Sequence, residues 1–259
     1  MISVCILTKN SAATLKATLD STAHFPEVLL LDNGSTDETL TIAATYPNVC
    51  IHQSPFIGFG PLRNRAASLA AHDWILALDS DEVLSPPLQR EIAQISLNPQ
   101  CAYRIPRHNF YNQKRIRGCG WDPESVCRLY HRKATAFSSA QVHESLLTHN
   151  LTILPLKHPL LHTPYRSVAD FLTKMQHYST LFAEQNQHRK DASLPKAMGH
   201  ALFAFFKTYL IKRGWMCGAE GFFISFYNAH TAFYKYMKLR ELNKEPTDVG
   251  SLKNGEQRN

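Results

Sequence analysis

Asp79, Asp81 and Glu82 close the stretch WILALDSDEV (residues 74–83), which opens on apolar residues. A buried strand ending in acid puts negative charge where the chain leaves its core, and that charge must find a cation or hydrogen-bond donors. Two carboxylates two residues apart can direct their oxygens at one hard divalent cation such as Mg2+ or Mn2+, whose open positions suit a diphosphate. The plainer alternative is a solvated acidic turn. Ser85 is at hand to cap the helix that follows, so the acids are not needed for that purpose. Asp32 ends a second apolar run, EVLLLD. There it either accepts the backbone N–H groups of the Gly34–Ser35 turn or accepts the ring N–H of a base such as uracil. Between the two lies GFGPLRNRA. Arg63 stands where a dinucleotide fingerprint needs its third glycine, so that fingerprint fails. Arg63 and Asn64 near a helix N-terminus can instead bind phosphate or ribose, with an ordinary solvated helix charge as the bland alternative.

The elements that must position these groups alternate regularly. Ile2 to Thr8, Glu27 to Asp32, Val49 to His52 and Asp73 to Asp79 have strand composition. Between them fall helical patterns through Leu15 and Leu19 with Ser11 as cap, from a Ser35/Glu38 capping box to about Tyr46, and from Pro61 onward. Strand and helix alternation at this spacing predicts parallel βαβ units in a doubly wound α/β sheet. Ligands of such sheets sit outside the carboxyl ends of the strands, where Thr8, Lys9, Asn10, Asp32, Asp79, Ser80 and Asp81 all fall. A helix over residues 85–97 leads to strand-like pieces around Tyr103, Phe110 and Val126 to Tyr130, a mixed and partly antiparallel second half. Helices are expected over 167–189, 195–212 and 219–242, with Gly214 and Gly218 as interruptions.

Composition narrows the class of partner. The chain has 259 residues, 44% of them hydrophobic, and 28 Lys plus Arg against 21 Asp plus Glu, a net charge of +7. This suits one sizeable core and an anionic partner. Six cysteines without a CxxC pair read as reduced thiols. Cys119, Cys127 and His131 match no common zinc knuckle. The first charge, Lys9, follows the N-terminal apolar run, which is the wrong order for a signal peptide, and no apolar run reaches the length of a membrane span. A cytoplasmic location is therefore expected.

The ordered blocks VCILTKNSAATL, LLLDNGSTDET, RNRAA, DWILALDSDEVL and QVHESL resemble inverting family 2 glycosyltransferases of the GT-A fold. LLHTPYRSVADFLTKMQHYS and the basic, aromatic stretch that follows narrow the resemblance to the bacterial lipopolysaccharide-core beta-glucosyltransferase group. The resemblance implies a GT-A sheet, Rossmann-like and mostly parallel, with a C-terminal helical extension. It implies that Thr8, Lys9, Asn10 and Asp32 line the base and ribose of a UDP-sugar, and that Asp79, Ser80 and Asp81 face ribose and a metal-bound diphosphate. His162 would be a third metal ligand beside Asp79 and Asp81, and Arg128 and Arg166 would neutralise diphosphate. Glu144, with His143 beside it, would take the proton of an acceptor hydroxyl on a lipid-linked or core oligosaccharide. Asn33 stands where serine is more usual, and Cys217 where an acidic residue is expected. The chemistry asks for the same parts: a cation or arginine for the leaving phosphate and a base opposite it.

The expected organisation is a nucleotide-sugar-binding domain over 1–165, a helical region over 166–242 and a flexible tail over 243–259. Phe203, Phe206, Leu210, Phe222, Phe226 and Phe233, with Lys207, Lys212, Arg213, Lys235, Lys238 and Arg240 among them, suit packing against the catalytic domain or an anionic membrane surface. Two rivals remain. A nucleotidyltransferase lacks its glycine-rich phosphate loop here, because TKNSAATL follows the first strand. A non-catalytic membrane-surface or nucleic-acid-binding protein would not gather carboxylates at strand ends, and no nucleic-acid motif is present.

Overall fold

Residues 1–139 and 144–244 are described by the computed structural model. The chain divides into two compact units, Met1–Arg115 with Trp121–Pro164, and Ile116–Gly120 with the chain from Tyr165 onward.

In the first unit, strands β1 (Ile2–Thr8), β2 (Glu27–Asp32), β3 (Val49–Gln53) and β4 (Trp74–Asp79) alternate with helices α1 (Ala12–Thr22), α2 (Thr39–Ala43) and α3 (Phe59–Leu69). There follow β5 (Glu82–Leu84), α4 (Pro86–Gln94), β6 (Cys101–Tyr111), β7 (Lys114–Arg115), β8 (Glu124–His131), β9 (Thr152–Pro155) and β10 (Leu160–His162). The sheet runs β3-β2-β1-β4-β8-β6-β10-β5, with β7 and β9 paired to β6. Its first four strands are parallel, β8 is antiparallel to both β4 and β6, and β10 is parallel to β6 and antiparallel to β5. This is the expected GT-A arrangement, a Rossmann-like half joined to a mixed half.

Every residue of β1 is buried because helices cover both faces of the sheet. Side chains alternate between the faces with the strand period of two. Val4, Ile6, Val28, Leu30, Leu76 and Leu78 meet Leu15, Leu19, Leu88 and Ile92 on one face. On the other, Cys5, Leu7, Leu29, Leu31, Ile75 and Ala77 pack with Leu62, Ala66, Tyr130 and Phe137. Burial, helped by the charge of Glu27, pushes the Cys5 thiol up to about 12, as befits an inert core cysteine.

Two expected helix starts differ in detail. Ser35 does not cap a helix: its hydroxyl donates to Asp32 Oδ1 and accepts from Asn10 N. The helix begins instead at Thr39 and is short, with Asp37 accepting from the backbone N–H groups of Thr39 and Ala12. Ser11 likewise makes no cap bond; its hydroxyl is shared with Ser80. Ser85 does cap α4, accepting from Leu88 N at 3.4 Å.

The second unit is built from α5 (Val168–Asn186), α6 (Leu194–Phe206) and α7 (Gly218–Leu242). Ser167 and Asp170 form a reciprocal capping box at the start of α5. The expected single helix over 195–212 instead stops at Phe206, continues as a π turn over Lys207–Ile211 and passes through a 3-10 turn, Gly214–Cys217. Fully buried Phe171 stacks on Tyr165 at 3.8 Å between ring centres and meets the edges of Phe223 and Tyr227. The segment Ile116–Gly120 belongs here through Cys119 N, which donates to Lys212 O at 2.7 Å. Only glycine fits at two crossings: a Cβ on Gly118 would lie 2.4 Å from Arg213 O, and one on Gly221 would lie 1.9 Å from Gly214 O. Asn243, placed in the expected flexible tail, accepts from His188 N and donates to Lys190 O; residues 245–259 lie outside the described residues. No helix among the described residues is long and apolar enough to cross a membrane.

Candidate active site

Register brings the strand-end residues together. Thr8 is paired with Asp32 across β1 and β2, and Leu7 with Asp79 across β1 and β4. The loops beyond them are bonded to one another. Asn10 N donates to Ser35 Oγ (2.9 Å), Thr36 N donates to Asn10 Oδ1 (2.8 Å), and the Ser11 and Ser80 hydroxyls lie 2.7 Å apart. Asn10 and Ser80 thus hold loops in place. Thr8 is buried with no partner for its hydroxyl among the described residues, and Lys9 is exposed.

Asp32 is fully buried and accepts from Gly34 N, Ser35 N and the Ser35 hydroxyl. Gly34 has φ of 98°, a left-handed conformation that favours glycine and turns its N–H back toward the carboxylate. Asp32 lines a cleft of about 370 Å³ with Asn33, Gly34, Gln53, Ser54 and Pro55.

Asp79 is clamped between two arginines. Arg63 Nη2 donates to its Oδ1 at 2.6 Å and Arg128 Nη2 to its Oδ2 at 2.5 Å. Burial opposes the charge on Asp79, but the guanidiniums of Arg128 and Arg63 outweigh it and hold the carboxyl well below the usual carboxylate range. Arg128 also reaches Glu82 Oε1 at 2.8 Å, and Arg107 reaches the same oxygen at 2.9 Å. Arg107 continues to Glu124, where burial opposes ionisation and the hydrogen bonds from Arg107 and Asn109 prevail, lowering the acid's pKa. Both oxygens of Asp79 are bonded to guanidinium, where the sequence reading placed it as a metal ligand beside Asp81 and His162.

Asp81 and His162 do meet, with Oδ2 and Nε2 3.5 Å apart. The tautomer follows from the neighbours. Asn109 Nδ2 donates to Trp121 O (2.8 Å) and Glu124 Oε2 (2.7 Å), so its Oδ1 is the atom facing His162 Nδ1 at 2.6 Å. An amide oxygen only accepts, so Nδ1 carries a proton and Nε2 faces the Asp81 carboxylate. Asn109 orients the ring through Nδ1, which leaves the Nε2 lone pair and the Asp81 carboxylate facing one another, two donors that could share one divalent cation. The pair fits Mg2+ or Mn2+ held by two protein ligands, and no group of three or more candidate ligands occurs among the described residues.

Glu144 lies two residues before Leu146, which bridges to Phe137, and both of these side chains are buried in the second core cluster. Asn64, expected at the donor, holds this segment instead. Its Nδ2 donates to Phe137 O (2.9 Å) and its Oδ1 accepts from Phe137 N (2.8 Å). Arg63 Nε donates to Glu144 Oε1 at 2.8 Å, so one buried guanidinium bridges Glu144 and Asp79. Glu144 Oε2 has no partner among the described residues. His143 lies outside the described residues. Arg166 belongs to the second unit, where it faces Asp170 at 3.8 Å.

Sequence reasoning missed Arg107, Asn109 and Glu124, and named Glu82 only as one of the acids after the β4 run. The full burial of Glu82 depends on Arg107 and Arg128, which arrive from 25 and 46 residues away.

The chain is 30% identical over 261 residues to a glycosyltransferase of Rickettsia bellii, covering 93% of this chain and 87% of that one. It is 24% identical over 251 residues to the lipopolysaccharide core biosynthesis glycosyltransferase LpsC of Rhizobium meliloti, covering 92% and 91%. Among solved structures it is similar to S. aureus TarS 1-349 in complex with UDP-GlcNAc, at 17% identity and a TM-score of 0.48 over 93% of this chain and 90% of that one. The model of the family Glycosyl transferase family 2 matches residues 3–135, from the first strand to the turn after β8, and so spans Asp32, Arg63, Asp79, Asp81 and Arg128. The chain is a glycosyltransferase and belongs to family 2.

Proposed function

We propose that the protein moves a sugar, glucose by resemblance, from a UDP-sugar donor to a lipopolysaccharide-core or related lipid-linked glycan with inversion at the sugar carbon. The observation that carries this reading is the Arg63 bridge, which sets the candidate base Glu144 beside the carboxylate Asp79 at the end of β4. The likeness to LpsC along nearly the whole chain supports the choice of acceptor class.

In this reading the base and ribose lie along the Asp32 cleft, near Thr8, Lys9 and Asn10. Asp81 and His162 would hold a divalent cation, which would supply charge neutralisation for the diphosphate. Arg63 orients the Glu144 carboxylate through Oε1 and leaves Oε2 to receive the proton. The acceptor oxygen forms a bond to the sugar carbon, the carbon–phosphate oxygen bond breaks with its electron pair going to the diphosphate, and the hydroxyl proton passes to Glu144. A single displacement inverts the centre.

A panel of nucleotide sugars, each with Mn2+ and with chelator, tests donor and metal together. One UDP-sugar should raise the melting temperature only when Mn2+ is present. Asp81→Asn should weaken that metal-dependent binding by about tenfold or more. A panel in which no nucleotide sugar stabilises the protein with any metal would refute the reading.

The second unit suits a cytoplasmic protein resting on an anionic membrane, where a lipid-linked acceptor is found. Phe203, Phe206, Ile211, Trp215 and Met216 are exposed, from 53% to 73%, beside Lys207, Lys212 and Arg213. Aromatic and aliphatic side chains among cations are the composition of an interfacial segment. The protein should co-sediment with vesicles containing anionic phospholipid and not with purely zwitterionic ones, and the Ile211→Asp/Met216→Asp variant should stay in the supernatant. Equal sedimentation of variant and wild type would exclude this surface.

A further inference from the structure

We infer that the acceptor bears an anionic group, a phosphate or a carboxylate, and that Arg104 binds it in a cavity shared with Glu144. The inference rests on the reading of Glu144 as the base. The cavity measures about 450 Å³ and is lined by Arg104, Arg128, Glu144, Ser125, Ser145 and Thr148, among others.

Its charged groups are not alike. Arg128 is matched by Asp79 and Glu82, and Glu144 is matched by Arg63. Arg104 is exposed, and its guanidinium has no hydrogen bond or ion pair among the described residues. The backbone beneath it is fixed, since Leu156 N donates to Arg104 O at 2.8 Å. The uncompensated charge on the lining is therefore positive. Glu144 shares Arg63 with Asp79, so the unpaired positive charge of Arg104 is what draws an anion into the cavity.

A planar guanidinium fork matches phosphate and carboxylate in two parallel hydrogen bonds, which a neutral sugar cannot reproduce. The hydroxyls of Ser125, Ser145 and Thr148 suit the remaining sugar oxygens.

The test follows the arginine Nε–H resonances of the full chain by NMR during titration with glucose 6-phosphate, glucuronate and glucose, with Arg104→Gln assigning the signal. Arg104 is exposed and makes no side-chain bond, so this variant should fold. One or both anionic sugars should move the Arg104 resonance while glucose at equal concentration does not. In the variant the affinity for the anionic sugar should fall by about tenfold or more. The phosphate and carboxylate arms identify which anion the cavity takes. Equal responses to all sugars, no response to either anion, or undiminished anion affinity in Arg104→Gln would overturn the inference. A parallel titration with UDP separates the two readings. UDP binding without an anion response removes the acceptor inference alone. An anion response without binding of any nucleotide upholds Arg104 and removes the donor reading.

Discussion

Glu144→Gln is expected to lower transfer by about 10²- to 10⁴-fold, the usual contribution of a positioned base, while nucleotide-sugar binding persists. The amide is nearly isosteric with the carboxylate, and its Oε1 can still accept from Arg63 Nε, a bond of 2.8 Å in the wild type. Arg63 then stays in place on Asp79, and the donor side of the site is undisturbed. What the variant loses is the proton affinity of the free oxygen. Steady-state transfer and donor-induced thermal stabilisation, measured on the same preparation, separate these effects. A variant that transfers at the wild-type rate would show that another group takes the proton. One that no longer binds donor would make Glu144 a structural partner of Arg63.

The carboxylates at the strand ends were legible because each closes a short apolar run, and a run of that kind has few ways to end in acid. Asp32, Asp79 and Asp81 therefore marked the rim of the sheet before any geometry was known. The partners of these acids were harder to see. Arg63 lies 16 residues before Asp79 and 81 before Glu144, and Arg128 lies 49 after Asp79, so the network exists only once β4, β8 and α3 are assembled. Local spacing misled in one place. Ser35 and Glu38 have the offset of a capping box, yet the buried Asp32 carboxylate, three residues earlier, captures the serine hydroxyl. The hydroxyl donates to that buried charge and its oxygen accepts from Asn10 N, so it is not available as the acceptor a helix cap requires. Leaving the charge unpaired would cost more than losing one cap. Likewise nothing in the composition of Ile116–Gly120 sets it apart from the strands around it. The segment joins the second unit where Gly118 permits a close backbone approach to Arg213 that no sequence pattern announces.

Arg128→Met is expected to destabilise the fold by about 3–5 kcal/mol at neutral pH, the usual cost of removing one partner from a buried ion pair. The methionine fills much of the space of the arginine stem but leaves Glu82, fully buried, with Arg107 alone and Asp79 with Arg63 alone. Asp79 is 34% exposed, so water screens part of its loss and most of the cost falls on Glu82. The pH dependence carries the argument further. A carboxyl held below its ordinary value stabilises the fold above the unfolded value of about 4 and loses that contribution as pH falls through the lower folded value. Asp79 is held down by Arg128 and Arg63, so wild-type stability should decline on the acid side of about pH 4. In Arg128→Met the Asp79 carboxyl moves back toward its ordinary value, and less remains to be lost. The stability curves of the two proteins, from urea unfolding at a series of pH values, should therefore converge in acid. Adding Glu82→Leu to Arg128→Met removes the stranded charge and should recover part of the loss, since a buried pair can be replaced by apolar groups more cheaply than it can be broken. A deficit of the same size at every pH, or no recovery in the double variant, would mean that Arg128 stabilises the sheet through packing and not through the charges it holds.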